Sequence, residues 1–429
     1  MVSAANAAAN RPPLKLLAVS FTYAPSALPR AVQVARLLKH LPASTTLVCA
    51  DYDEKDVRKD PALVAEAESF LERAVRVPFR LPGWKNRAGG LAYRLNLPVW
   101  DKTPDRHTSW KRPVLDAVAE LVRGTGYSPH ALVTFGAPMS DHLIGLELKR
   151  RYRWPWVAHF SDPWVDNPFS SYDPLTRALN SSLERRVVNG ADRVVFTSEE
   201  TLELVMAKYP EEFRPKARVL PHAFDPELFG ARAEKRDSQL TVRYLGDLYG
   251  RRTPGPLFDA LSRLLAADAE ALTDVRFELI GPTYDLELEK LGLGNLPEGL
   301  VAVKAPVTYR ESLSLMASAD GLLVIDAPAE KSVFLPSKLI DYVGAGRPVL
   351  GLTPPGTSAN LIDRLGGWVA RPDDVESMAA VIKNFLAYLR GNRNQAAPWG
   401  TPGVQSLYEA RRVALRFEAI LRELTGPPG

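Results

Sequence analysis

Apolar runs of strand length alternate with amphipathic helical stretches along the whole chain. In the first half these runs are LKLLAVSF (14–21), TTLVCA (45–50), AVRVPF (74–79), ALVTFG (131–136), PWVAHF (155–160) and DRVVFT (192–197). Apolar residues at helical spacing mark 30–41, 113–123, 140–151, 174–190 and 199–208 between them. Strands that are apolar throughout and separated by helices predict a parallel sheet covered on both faces. The rhythm restarts with LTVRYLG (240–246) and continues through VRFELIG (275–281), GLVAVKA (299–305), GLLVID (321–326), RPVLGL (347–352) and GWVA (367–370). Helices are expected near 255–267, 309–318, 337–344 and 374–390. The polar stretch FGARAEKRDSQ (229–239) reads as a linker between an amino-terminal domain, 14–228, and a carboxy-terminal one, 240–400. The fold class is therefore α/β, two doubly wound, Rossmann-like units facing a central cleft. Ligands of such units sit at the carboxyl ends of the strands. A last helical pattern, within 405–429, has no strand to feed and is expected to pack back toward the first domain.

Length agrees with this division, because 429 residues exceed what one hydrophobic core supports. The single cysteine, Cys49, spells neither an internal disulfide nor a zinc site, which fits a reducing, cytoplasmic location. Residues 1–13 are small and polar and read as a disordered leader rather than a signal peptide. No stretch reaches the roughly 18 uncharged apolar residues of a membrane span. Charge is uneven: residues 1–235 hold 33 Lys+Arg against 27 Asp+Glu, and the remainder 21 against 23, giving +6 and −2 for a net +4. A basic front half suits phosphates, lipid headgroups or an anionic substrate. Residues 76–102 fit no strand–helix rhythm and mix Arg80, Lys85, Arg87, Arg94 and Lys102 with Phe79, Trp84, Tyr93 and Trp100. Such a segment suits either an anionic membrane surface or glycan, or a plain surface insertion; nucleic acid is not expected as a partner.

The candidate chemistry begins with VFLPSKLIDYVGAGRPVLGL (333–352), a short helix with a cation at its head. A lysine there opposes the helix dipole, so stability alone does not place it. Free amides at Ser337 and Lys338, together with the Lys338 charge, make an anion site. Asp341 lies on the same helical face, where a carboxylate can accept from both hydroxyls of a ribose. Phosphate and ribose together describe a nucleotide. Alone, the pattern equally suits an exposed helix with a Lys338–Asp341 ion pair. A second stretch, YLGDLYGRRTPGPLFDALSRL (244–264), places Gly246 and Gly250 where backbone could approach a ligand. Arg251 or Arg252 could grip a diphosphate there.

With these motifs in this order, the chain resembles the GT-B glycosyltransferases of the retaining family-four type. The segments HLIGLELKRRYRWPWVAHFSDPW (142–164), VLPHAFDPELF (219–229) and VTYRESLSLMASADGLLVI (307–325) extend the resemblance over nearly the whole chain. It implies that Asp341 holds the nucleotide ribose and that Arg252, with Arg251 beside it, meets the donor pyrophosphate at the Ser337–Lys338 helix head. It also implies that Asp162 and Ser161 face the reacting sugar, while His159 reads as a strand residue turned to the core or an acceptor contact. Two departures stand out. Val333 occupies the place of the family's sugar-binding glutamate, so Glu330, Lys331 or the amides of Phe334 and Leu335 would have to serve. The glycine pair of the first loop is replaced by Ser26-Ala27-Leu28, leaving Arg30 as a contact for an anionic acceptor.

The resemblance implies metal-independent transfer from a nucleoside-diphosphate sugar to a glycan or lipid-linked acceptor with retained configuration. It implies no cofactor, with Asp162, Arg252 and Lys338 carrying the chemistry. Attachment at the inner face of a membrane is a further expectation. A non-catalytic, nucleotide-sugar-binding subunit is the alternative that Val333 suggests, and a nucleotide-sugar epimerase is a more distant one.

Overall fold

A computed structural model of the chain describes residues 13–52, 60, 62–79, 103–230, 239–393 and 398–426. The leader, residues 80–102 of the insertion and most of the linker fall outside them. Two compact units emerge, one of Met1–Pro221 with Val413–Gly429, the other of His222–Arg412.

The first unit is built on a seven-stranded sheet of β1 (Leu14–Ser20), β2 (Ala43–Tyr52), β3 (Arg73–Phe79), β4 (Ala131–Gly136), β5 (Trp156–Phe160), β6 (Arg193–Phe196) and β7 (Ala217–Val219). Every pairing is parallel, in the order β3-β2-β1-β4-β5-β6-β7. Helices α1 (Pro29–His40), α2 (Ala62–Glu68), α3 (Lys111–Thr125), α4 (Ser140–Tyr152), α5 (Pro174–Gly190) and α6 (Glu199–Met206) make the crossovers among the described residues. β4 and β5 are buried at every position, because helices cover both faces. Trp110, Trp156 and Trp164 anchor the core. Their indole N–H groups are matched by the Val77 carbonyl, Thr134 Oγ1 and Asn180 Oδ1, so these large side chains are buried without an unmet donor.

The second unit carries six parallel strands in the order β10-β9-β8-β11-β12-β13. They are β8 (Leu240–Leu245), β9 (Val275–Ile280), β10 (Val301–Lys304), β11 (Gly321–Ile325), β12 (Val349–Leu352) and β13 (Trp368–Ala370). Its helices are α7 (Gly255–Ala267), α8 (Tyr309–Ser318), α9 (Ser337–Ala345), α10 (Thr357–Leu365), α11 (Val375–Gly391) and the short α12 (Pro402–Gln405). Along β11, Leu323 and Ile325 join one core cluster while Leu322 and Val324 join another, the period-two alternation of a strand covered on both sides. The last helix, α13 (Ala410–Thr425), begins in this unit and contributes Val413 onward to the first. No helix among the described residues is long and apolar enough to cross a membrane.

In both sheets the strand order reverses beside the first strand of the unit, between β1 and β4 and between β8 and β11. That reversal opens a crevice at the carboxyl ends of those strands, where doubly wound sheets bind ligands.

Candidate active site

In the second unit, β8 and β11 each end in a polar loop at the reversal. Gly246 follows β8 with φ +136°, and a Cβ placed on it would stand 2.7 Å from Lys338 Nζ. Only glycine leaves that space to the lysine. Lys338 rises from the first turn of α9; its ammonium donates to Tyr244 Oη at 2.6 Å and lies 3.9 Å from the centroid of that ring. The Tyr244 hydroxyl gives its own proton to the Asp247 carbonyl at 2.8 Å, so toward Lys338 it acts as acceptor. A neutral hydroxyl and a ring face are weak partners for a cation, and among the described residues no carboxylate pairs with Lys338. Burial, reinforced by the Arg252 charge, brings the Lys338 pKa down to about 7 against the opposing pull of Asp326 and Asp247.

Arg252 sits in a tight turn closed by paired N–H···O bonds with Tyr249 of 3.0 and 2.9 Å. Its guanidinium lies 3.5 Å from Asp326 Oδ1 and its Cζ 5.3 Å from the Tyr249 ring centroid. Asp326, directly after β11, is buried and accepts from Thr353 Oγ1 at 2.9 Å through its other oxygen. Asp326 thus pairs with Arg252, while among the described residues Lys338 feels Asp326 and Asp247 only at a distance. Arg251, in the same turn, is exposed.

Helix α9 is fixed to the sheet by Tyr342, whose hydroxyl accepts from the Leu245 amide at 3.0 Å and donates to the Leu323 carbonyl at 3.2 Å. Ser337 opens the helix directly after Pro336, and Gly346 at φ +61° ends it. Asp341 is buried and accepts from the Tyr309 hydroxyl at 3.2 Å. Lys338 and Asp341 therefore turn to different partners, and the exposed ion-pair helix that the sequence equally allowed is not what forms. In the preceding loop Val333 and Leu335 are buried and Phe334 half-buried, whereas Glu330 and Lys331 are exposed.

In the first unit the expected residues gather at the carboxyl end of β5. Arg30, in the first turn of α1, donates through Nη2 to the His159 carbonyl at 3.0 Å and lies 3.2 Å from His159 Nδ1. Arginine has no acceptor, so Nδ1 accepts and the His159 proton sits on Nε2. His159 is buried, with its ring 5.4 Å from Phe135 and 6.3 Å from Phe417. It packs in the core and steers Arg30 together. Ser161 Oγ donates to Asp162 Oδ2 at 2.9 Å. Burial raises the Asp162 pKa, opposed by that bond and by the Arg30 charge; burial likewise brings Arg30 down to about 10.

Sequence reasoning missed Tyr244, Asp326, Thr353 and Tyr309. Asp326 left a signal, an acid closing the apolar run GLLVID at the ligand end of a strand. Tyr244 left none, since an aromatic inside a buried strand reads as core. Among the described residues no cluster of three or more His, Cys, Asp or Glu side chains has the arrangement of a metal site.

Residues 27–223 match the family described as "Glycosyl transferase 4-like domain". No curated protein sequence matches the chain. Among solved structures, HepE of Anabaena in complex with UDP and glucose is 14% identical at a TM-score of 0.63, covering 96% of this chain and 100% of its own. Sucrose-phosphate synthase from Thermosynechococcus elongatus is 16% identical at 0.65, with 96% and 99% covered. An E. coli trehalose-6-phosphate structure bound with UDP-2-fluoro glucose is 12% identical at 0.61, with 95% and 99% covered. At such identities the likeness is one of fold. The amino-terminal unit is similar to the glycosyl transferase 4-like domain over residues 27–223, and the chain as a whole has the two Rossmann-like domains of the GT-B glycosyltransferase fold.

Proposed function

We propose that the protein transfers a sugar from a nucleoside-diphosphate sugar to a hydroxyl of a glycan or lipid-linked acceptor, with retention at the anomeric carbon and without a metal. The observation that carries this reading is the pair of basic side chains, Lys338 and Arg252, at the strand reversal of the second unit, of which only Arg252 has a carboxylate, Asp326, within reach among the described residues. Such a site is short of an anion. A diphosphate supplies it, with Ser337 and Lys338 offering helix-head amides and Asp341 receiving the ribose hydroxyls. Gly246 lets the backbone approach, and the loop of Glu330, Phe334 and Leu335 borders the sugar. The UDP and UDP-sugar complexes of the similar folds make uridine the first base to try.

As the bond from the anomeric carbon to the diphosphate oxygen breaks, negative charge grows on the leaving oxygen. Fixed cations and amides stabilise that charge more in the transition state than in the ground state, which lowers the barrier. The acceptor oxygen forms its bond on the same face, and its proton passes to the departing phosphate oxygen. Arg30, Ser161 and Asp162 position the acceptor hydroxyl. A non-catalytic donor-binding role is the second reading, favoured by the buried, apolar Val333.

A thermal-shift panel of nucleoside diphosphates and their sugars tests the donor assignment, because a ligand that binds only the folded state raises the melting point. A rise with at least one diphosphate is expected, and no rise with any of them defeats the reading. Single-turnover release of nucleoside diphosphate in the presence of an acceptor pool then separates transfer from mere binding.

The Lys338 pKa gives a pH signature. With the free protein near 7 and a bound diphosphate favouring the ammonium, binding above pH 7 must take up a proton. Affinity for UDP should fall with rising pH, approaching about tenfold per unit above pH 8, where the phosphate itself no longer titrates. Calorimetry between pH 7 and 9 checks this, and Lys338→Ala should flatten the slope. A slope unchanged in that variant assigns the proton elsewhere.

A further inference from the structure

The buried carboxylate of Asp341 is held from a second helix. Asp341 lies one turn into α9, and its Oδ1 accepts the Tyr309 hydroxyl at 3.2 Å. Tyr309 is the first residue of α8, and a capping box fixes that start. The Glu311 amide donates to Thr308 Oγ1 at 3.3 Å, and the Thr308 amide donates to Glu311 Oε2 at 2.8 Å. Leu313 and Met316 of α8 join Leu339, Ile340 and Val343 of α9 in one apolar cluster, with Tyr309 packed against it. Tyr342 in turn ties α9 to β8 and β11 through the Leu245 amide and the Leu323 carbonyl. Both partners of the Tyr309–Asp341 bond therefore stand on helices locked to each other, and α9 is locked to the sheet.

This fixing has a chemical consequence for the pentose. A carboxylate offers about four lone-pair directions to donors, and the phenol occupies one of them on Oδ1. A carboxylate free to rotate could turn toward whichever hydroxyls a pentose presents, or toward water. Pinned by a phenol, and short enough to have little room to compensate, Asp341 keeps its other directions where they are. They suit a pentose with hydroxyls at both the 2′ and the 3′ positions. A 2′-deoxy pentose would leave one of those directions facing the ligand without a donor, in a place where burial keeps water away. An unmet buried acceptor costs its desolvation. Sites built to bond a hydroxyl therefore reject ligands that lack it far more strongly than apolar sites reject a change in size.

We propose that the Tyr309–Asp341 pair makes the donor site selective for ribonucleoside diphosphates over their 2′-deoxy counterparts, with Tyr309 as the residue that positions the carboxylate. The donor class is then a ribonucleoside-diphosphate sugar, and deoxythymidine-diphosphate sugars are excluded. This rests on the donor reading above and adds the choice of pentose to it. Calorimetry on the full chain with the pairs UDP and dUDP, GDP and dGDP, and ADP and dADP tests it. The ribose form that binds tightest should exceed its 2′-deoxy partner by about tenfold to a hundredfold, as expected for a hydrogen bond to a charged group. Tyr309→Phe keeps the ring and its packing but removes the donor. It should shrink that ratio to about threefold, weakening the ribose form while leaving the deoxy form nearly as it was. Tyr309→Met, similar in bulk and without a hydroxyl, should do the same, and it replaces the phenylalanine variant if that one fails to fold. A tyrosine that served packing alone would move both members of a pair equally. A ratio near one in the parent protein overturns the proposal, and so does a ratio that both variants leave unchanged. If a nucleotide binds, Lys338→Ala weakens it and the ratio is still near one, the donor reading stands and only the pentose selectivity is lost. If none of the six nucleotides binds, the donor reading has failed and takes this inference with it.

Discussion

Replacing Lys338 by alanine should lower the rate of sugar transfer about a hundredfold, and Arg252→Ala should do the same. Each cation sits where a leaving diphosphate gains charge, and removing one fixed donor from such a site typically costs about 3 kcal/mol in the transition state. The expectation for Lys338 is sharpened by its surroundings. Its ammonium rests on the Tyr244 hydroxyl at 2.6 Å and among the described residues no carboxylate pairs with it, so a bound diphosphate would be its first close counter-charge. Arg252 differs, because Asp326 already balances part of its charge at 3.5 Å. The double variant should therefore lose more than the two single losses combined, since Asp326 is left facing the crevice alone and repels the diphosphate. Initial rates with saturating donor, beside UDP affinity by calorimetry, read the two effects apart. Near-normal turnover in both single variants would remove the phosphate assignment altogether.

The fold could be read from periodicity because its determinants are local and repetitive. Runs such as ALVTFG and PWVAHF are apolar at every position, which only a strand covered on both faces requires, and the observed β4 and β5 are buried throughout. The helix expected at 309–318 forms over Tyr309–Ser318, since Thr308 and Glu311 write a capping box into the sequence. The site was legible only in part. Lys338 and Asp341 announce themselves by lying on one short helix, but their partners, Tyr244 and Tyr309, are 94 and 32 residues away. The grip of Arg30 on His159 spans 129 residues and joins a helix start to a strand end. No local spacing encodes such pairs; they follow from the strand order, and strand order is a property of the assembled sheet.

The glycine under the site makes the last case. Gly281 ends β9 as Gly246 ends β8, and the two strands stay paired past their ends: the Gly246 amide donates to the Ile280 carbonyl at 2.9 Å and the Leu248 amide to the Pro282 carbonyl at 2.9 Å. Gly281 has φ +141°, and a Cβ built on it would come within 2.3 Å of the Gly246 carbonyl oxygen and 2.8 Å of its carbon. Those atoms are backbone and cannot rotate aside as a side chain would. Gly281→Ala must therefore displace the Gly246 peptide, which is the floor beneath Lys338 Nζ. Strain at a glycine-only backbone position together with overpacking should cost about 2–4 kcal/mol. For a unit of this size that corresponds to roughly 5–15 °C in melting temperature. Gly250→Ala is the matched control. Its φ of +52° is also left-handed, but a Cβ there meets nothing within 4 Å, so about 1 kcal/mol is expected. Donor binding should divide the two further, with Gly281→Ala losing at least tenfold in UDP affinity and Gly250→Ala little. If both variants melt within a degree or two of each other and bind UDP alike, the Gly246 peptide is not the rigid seat of Lys338, and the lysine is placed by Tyr244 alone.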